Sequence, residues 1–101
     1  MNVVIVEDET PATRHLQRLL QRLDPGIQII AVMGTVKEAV QWFSSHPPPD
    51  LVFLDIHLAD TLSFEIFDQV DIQAPVIFTT AYDQYALQAF KVNSIDYLLK
   101  P

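Results

Sequence analysis

The chain has 101 residues, which fits one domain, and half of them are hydrophobic, which is enough for a sizeable core. It has no cysteine, so a disulfide framework and a thiolate metal site are both excluded. The formal net charge is −7 with only six Lys and Arg, which argues against direct nucleic-acid binding by these residues, because that affinity comes largely from cationic side chains displacing counterions.

The N-terminal run Met1-Asn2-Val3-Val4-Ile5-Val6 meets Glu7-Asp8-Glu9 too early for a secretory signal, which needs a basic start and a longer apolar stretch. No apolar run approaches a membrane span, so the expectation is a cytoplasmic location with no membrane partner. Asn2–Val6 reads as a strand buried on both faces. Thr10-Pro11 gives a helix start, a capping hydroxyl followed by proline at the first helical position. Ala12, Leu16, Leu19, Leu20 and Leu23 follow at helical spacing, and Asp24-Pro25-Gly26 ends the helix. Ile27–Val32 is a second strand. Thr35-Val36-Lys37-Glu38 is a capping box that opens a second helix with Val36, Ala39, Val40 and Phe43 as its buried stripe. Pro47-Pro48-Pro49 makes a stiff connector. Leu51–Leu54 is a third strand ending at Asp55, and a weaker helix covers roughly Ser63–Val70. Pro75–Thr79 is a fourth strand, Asp83–Lys91 a helix with Tyr85, Ala86, Ala89 and Phe90 facing the core, and Ile95–Leu99 a fifth strand before Lys100-Pro101.

Short apolar strands separated by helices mean an α/β fold, a doubly wound parallel sheet with helices on both faces. The functional crevice of such a sheet lies outside the carboxyl ends of its strands. No helix follows the last strand, although an open sheet of this kind is covered on both faces, so the expectation is a domain cut before its C-terminal helix.

Chemistry-bearing residues collect at the strand ends: Glu7-Asp8, Asp55, Thr79-Thr80 and Lys100. They meet at one edge if strand one lies between strands two and three. Clustered carboxylates repel one another unless one is protonated or a cation neutralises them. Oxygen donors without Cys or His suit a hard cation such as Mg²⁺, which takes one or two carboxylates together with waters and phosphate oxygens. A divalent cation, an ammonium and a hydroxyl around a carboxylate are the equipment for phosphoryl transfer, and the carboxylate itself can be the nucleophile. The ordinary alternative is a solvated acidic loop.

Val4-Ile5-Val6-Glu7-Asp8-Glu9, Leu54-Asp55-Ile56, Phe78-Thr79-Thr80-Ala81-Tyr82 and Asp96-Tyr97-Leu98-Leu99-Lys100-Pro101 together resemble the receiver domain of two-component response regulators. Phe78–Asp83 and Asn93–Pro101 resemble the subset whose receivers precede a LytTR-type DNA-binding domain. The resemblance implies a five-stranded sheet of order 2-1-3-4-5, with Asp55 as phosphoacceptor and a sensor histidine kinase as the donor partner. It implies that Asp8 binds Mg²⁺ directly, that Glu7 supports the metal site, and that the backbone carbonyl of His57 is the remaining protein ligand beside Asp55. Strand alternation lets only one of Thr79 and Thr80 point at the site and leaves the choice open; the family pattern, a hydroxyl followed by Ala81, picks Thr80 as the residue that bonds the phosphoryl group. The resemblance further implies that Lys100 pairs with a phosphoryl oxygen and that Tyr97 is the aromatic that changes rotamer on activation. Lys100-Pro101 is a cis peptide in this family. Homodimerisation on activation is implied, and DNA is reached only through a C-terminal domain outside this chain. Leu87 and Lys91 fall on the outward side of the Asp83–Lys91 helix and are candidate dimer contacts, although a single exposed leucine needs no such explanation. Such a protein is a phosphoacceptor and not an enzyme in the usual sense, since it catalyses only its own phosphoryl transfer and dephosphorylation.

The loop after the acceptor departs from the family pattern. It reads His57-Leu58-Ala59-Asp60-Thr61-Leu62-Ser63, where the family usually has proline in place of Ala59 and a glycine at Thr61 or Ser63. Three other readings compete with the receiver domain. A haloacid-dehalogenase-type enzyme needs an acid at the position of His57. A nucleotide-binding domain needs a glycine-rich loop, which Gly26 and Gly34 cannot supply. A receiver-shaped interaction module that is never phosphorylated is the third. A zinc site at His57 lacks a second ligand at suitable spacing.

Overall fold

The computed structural model describes residues 1–81 and the backbone of a strand at Asp96–Leu99. The elements run β1 (Asn2–Val6), α1 (Thr10–Leu23), β2 (Gln28–Met33), α2 (Val36–Ser45), β3 (Leu51–Asp55), α3 (Glu65–Gln69), β4 (Val76–Thr80) and β5 (Asp96–Leu99). The sheet has the order β2-β1-β3-β4-β5 and its pairs are parallel, so β1 does lie between β2 and β3. The helix expected at Asp83–Lys91, the contacts expected of Leu87 and Lys91, and the Lys100-Pro101 peptide lie outside the described residues.

Alternation along the central strands splits the core in two. Val3, Ile5 and Phe53 point to one face, where Leu16 and Leu20 of α1 cover them. Val4, Val6, Val52, Leu54, Val76 and Phe78 point to the other, under Val36 and Ala39 of α2 and Ile66 of α3. Because β1 and β3 are covered on both faces, their sequences are continuous apolar runs. Each fully buried Val, Leu, Ile or Phe contributes about 1.5–3 kcal/mol of transfer free energy. At the sheet edge, β2 leaves Ile30 and Val32 each 43 % exposed.

Several local expectations differ from the structure. Thr10 does not cap α1: the cap is Glu9, which offers no side-chain hydrogen bond, and Thr10 is already helical. Pro11 is accommodated one position later than expected, because the whole first turn has no use for its N–H donors. On α1 the inner ridge is Leu16 and Leu20, whereas Leu19, about 100° around the helix from Leu20, is 41 % exposed, and Leu23, the last residue of the helix, is 80 % exposed. The third helix is shorter than Ser63–Val70, because the chain from Leu62 to Phe67 enters it through i→i+3 bonds from Glu65, Ile66 and Phe67 to Leu62, Ser63 and Phe64. The second strand ends one residue later than expected, at Met33. The fourth strand likewise runs one residue later than expected, Val76–Thr80. The expected turn and cap do form: the Gly26 N–H donates to the Asp24 carboxylate at 2.9 Å to close α1, and Thr35 Oγ1 accepts from the Glu38 N–H at 3.0 Å to open α2.

Candidate functional site

In a parallel sheet all strands finish at the same end, so β1 and β3 deliver their last residues side by side. Val6 pairs with Leu54, and Glu7 and Asp55 follow them directly. The Glu7 N–H continues the ladder to the Met33 carbonyl at 2.7 Å. Carboxylate oxygens of Glu7, Asp8 and Asp55 all lie within 4.8 Å of one another. Glu7 and Asp55 are buried, 7 % and 4 % exposed, while Asp8 faces solvent.

That arrangement is electrostatically costly when all three acids are ionised. Two unit charges about 5 Å apart at an effective dielectric near 20 repel by roughly 3 kcal/mol. The donor set fits Mg²⁺: the oxygens converge, no nitrogen or sulfur donor among the described residues joins them, and the exposed Asp8 side leaves room for water or a phosphate oxygen. Among the described residues this is the one cluster of three such groups, and His57 is not in it, which removes the basis for a zinc site there.

Thr79 stands opposite Asp55 in the register, and the Ile56 N–H donates to the Thr79 carbonyl at 3.2 Å. Thr80 closes β4 one residue further out and is completely buried, while Thr79 is partly exposed. The backbone of Tyr97 pairs with Phe78, but its side chain, like Lys100, lies outside the described residues.

The loop after Asp55 closes on itself. His57 and Leu62 form an antiparallel bridge, the Leu58 N–H donates to the Thr61 carbonyl at 3.1 Å, and the Ser63 N–H to the Ile56 carbonyl at 2.8 Å. The His57 N–H approaches Asp55 Oδ1 at 3.4 Å, a long contact. Its outer turn docks on the β2–α2 connection. The Ala59 N–H donates to the Gly34 carbonyl at 3.1 Å. The Asp60 carboxylate accepts from the N–H groups of Val36 at 2.8 Å and Lys37 at 3.2 Å. Neither Asp60 nor Gly34 was singled out by sequence reasoning for a role at the site. Their contacts span long stretches of chain, and only the unusual loop composition hinted that something other than proline and glycine must shape it.

Comparison with known proteins agrees with this geometry. Residues 3–101 match the model of the response regulator receiver domain. The chain is 43 % identical over 104 residues to the sensory transduction protein LytT of Enterococcus faecalis, covering all of this chain and 42 % of that protein. It is 38 % identical to LytT of Bacillus subtilis, again over all of this chain and 42 % of that protein. The chain thus spans less than half the length of the curated relatives it matches. Among solved structures, the response regulatory domain of protein mrkE from Klebsiella pneumoniae superposes with a TM-score of 0.87 at 27 % identity, over 100 % of this chain and 84 % of that one. The response regulator TrrA from Thermotoga maritima, solved in complex with Mg²⁺-BeF, superposes with a TM-score of 0.80 at 26 % identity, over 99 % of this chain and 86 % of that one. Strand order, acid cluster and sequence match converge on one family: the chain belongs to the response regulator receiver domains of two-component systems.

Proposed function

We propose that Asp55 accepts a phosphoryl group from the phosphohistidine of a sensor histidine kinase, and that the modified domain switches a surface controlling a downstream LytTR-type DNA-binding domain. The observation that carries this reading is the convergence of Glu7, Asp8 and Asp55 oxygens within 4.8 Å. A carboxylate oxygen of Asp55 attacks phosphorus, the P–N bond breaks, and its electron pair returns to the imidazole nitrogen of the donor. Asp8, Asp55 and the His57 carbonyl would hold Mg²⁺, with Glu7 in support, and the ion would supply positive charge against the negative charge of the transferring group. Thr80 bonds a phosphoryl oxygen and Lys100 pairs with another, and Tyr97 turns with the switch. The phosphoryl group adds about 1.5 to 2 negative charges at one point, and a two-state domain biased by that charge needs no other input.

The chain catalyses only its own phosphorylation and dephosphorylation, acts in the cytoplasm and dimerises when activated. Similarity to LytT supports the output assignment, as does the resemblance of its last strand to receivers that precede LytTR domains. Incubation with acetyl phosphate and Mg²⁺ followed by intact-mass measurement tests the central step. A single phosphoryl adduct that disappears in Asp55→Asn is expected. An unmodified mass, or an adduct that survives Asp55→Asn, overturns it and leaves an interaction module that is never phosphorylated.

A further inference from the structure

The segment from Asp55 to Ser63 carries the acceptor and the carbonyl expected at the metal, yet it has neither the proline nor the glycine that usually shapes such a loop. What holds it is a contact with another element. Asp60, at its outer turn, spans the first two N–H groups of α2 with its two carboxylate oxygens, 2.8 Å from the Val36 nitrogen and 3.2 Å from the Lys37 nitrogen. Helix N-termini leave such donors unsatisfied and carry partial positive charge, so a carboxylate is the favoured partner there. Oδ1 also accepts from the Thr61 N–H at 3.1 Å, which fixes the carboxylate to its own turn.

The connection that Asp60 grips is itself part of the site wall. A Cβ on Gly34 would lie 3.4 Å from Asp8 Cα and 3.6 Å from Asp8 Cβ, so the turn before α2 packs directly on the second acid of the cluster. The Gly34 carbonyl takes the Ala59 N–H, and the neighbouring Met33 carbonyl takes the Glu7 N–H. One turn thus braces both sides of the pocket, Glu7-Asp8 from below and the loop after Asp55 from above.

We propose that Asp60 is a positioning residue for the phosphoryl-transfer site: by clamping the loop after Asp55 to the N-terminus of α2, it sets the spacing of the Asp55 and His57 metal-binding groups against Asp8. The inference rests on the Mg²⁺-dependent reading above and deepens it. Asp60 touches neither metal nor phosphate; it acts through the backbone of residues 57–60.

The test is Mg²⁺ affinity measured by calorimetry on the intact protein, because that readout needs no phosphorylation. Residues that support a metal site from outside typically change affinity 10- to 100-fold when lost, and Asp60→Ala is expected to weaken Mg²⁺ binding by about 10-fold. Thr35→Ala is the control. It removes a different cap from the same helix, the bond from the Glu38 N–H to Thr35 Oγ1, and is expected to lower stability with Mg²⁺ affinity unchanged. Asp60→Asn, which keeps one acceptor oxygen, is expected to fall between native and Asp60→Ala, and it carries the test where Asp60→Ala does not fold. Native Mg²⁺ affinity in both Asp60 variants overturns the proposal, as does an equal loss in Thr35→Ala. A native protein that binds no Mg²⁺ overturns it together with the cofactor assignment. A native protein that binds Mg²⁺ with the expected Asp60 dependence but takes no phosphate from acetyl phosphate overturns the phosphoacceptor reading alone.

Discussion

Asp60 and Val36, 24 positions apart in the chain, are joined by a 2.8 Å hydrogen bond from the Val36 N–H to the Asp60 carboxylate. The bond replaces intrinsic loop stiffness with a tertiary tie. A loop of ordinary residues can then stay in one conformation, because its entropy is restricted by a partner and not by proline.

The charge on Asp60 gives a pH signature. Desolvation is the largest single influence and works against the carboxylate, but the N–H groups of Val36, Lys37, Asp60 itself and Thr61 together outweigh it and hold the group below its ordinary value of 3.8. A depressed folded value means that the stabilisation is fully present above 3.8 and is lost as pH falls through the lower folded value. The melting-temperature gap between native protein and Asp60→Asn is expected to be constant at neutral pH and to close in the acid range. A gap that widens on acidification contradicts the sign.

Ala59→Pro restores the residue usual in the family but removes the N–H that donates to the Gly34 carbonyl at 3.1 Å. A lost hydrogen bond of this kind costs about 0.5–1.5 kcal/mol, against about 0.4–1 kcal/mol gained when proline fits the existing backbone. The expected result is no net stabilisation in a denaturant titration. A clear gain in midpoint means that the Ala59–Gly34 bond contributes little.

Asp8 is the exposed member of the acid cluster. Asp8→Asn removes a charge from that cluster without touching the core. Phosphorylation by acetyl phosphate is expected to need at least 10-fold more Mg²⁺, roughly the change typical of perturbed metal sites, while thermal stability without metal holds or rises as repulsion is relieved. An unchanged Mg²⁺ requirement removes Asp8 from the metal.

Phe78 is fully buried on β4, with its ring 5.2 Å from Phe64 and 6.1 Å from Phe67. Phe78→Ala is expected to cost about 3–5 kcal/mol, a large part of the roughly 5–15 kcal/mol that stabilises a typical domain. Equilibrium unfolding by urea reads it directly, and a loss under 1 kcal/mol shows that α3 closes over the gap.

The sheet was legible because β1 and β3 are buried on both faces, so Val3–Val6 and Leu51–Leu54 are unbroken apolar runs. The acid cluster was legible because Glu7-Asp8 and Asp55 end those same strands. Leu19 and Leu23 keep helical spacing with Leu16 and Leu20 yet are exposed, because spacing alone cannot say where a helix meets its sheet. Thr10 looked like a cap because the residue types fit, although the hydrogen bond is not made. The Asp60 clamp had no local signature, since an aspartate in a loop looks alike whether it faces water or a helix end far along the chain.

The starts of the strands are stitched together as closely as their ends are. The Asn2 N–H donates to Asp50 Oδ2 at 2.7 Å, the Asp50 N–H to the Asn2 carbonyl at 2.8 Å, and the Gln28 N–H to the Met1 carbonyl at 2.9 Å. The five residues of β1 separate that seam from the acid cluster, a rise of about 17 Å. Tethering the domain at this seam, for instance through the exposed Asp50, to a resin or a sensor chip therefore leaves Asp55 at the far end of the sheet, where a donor protein can reach it.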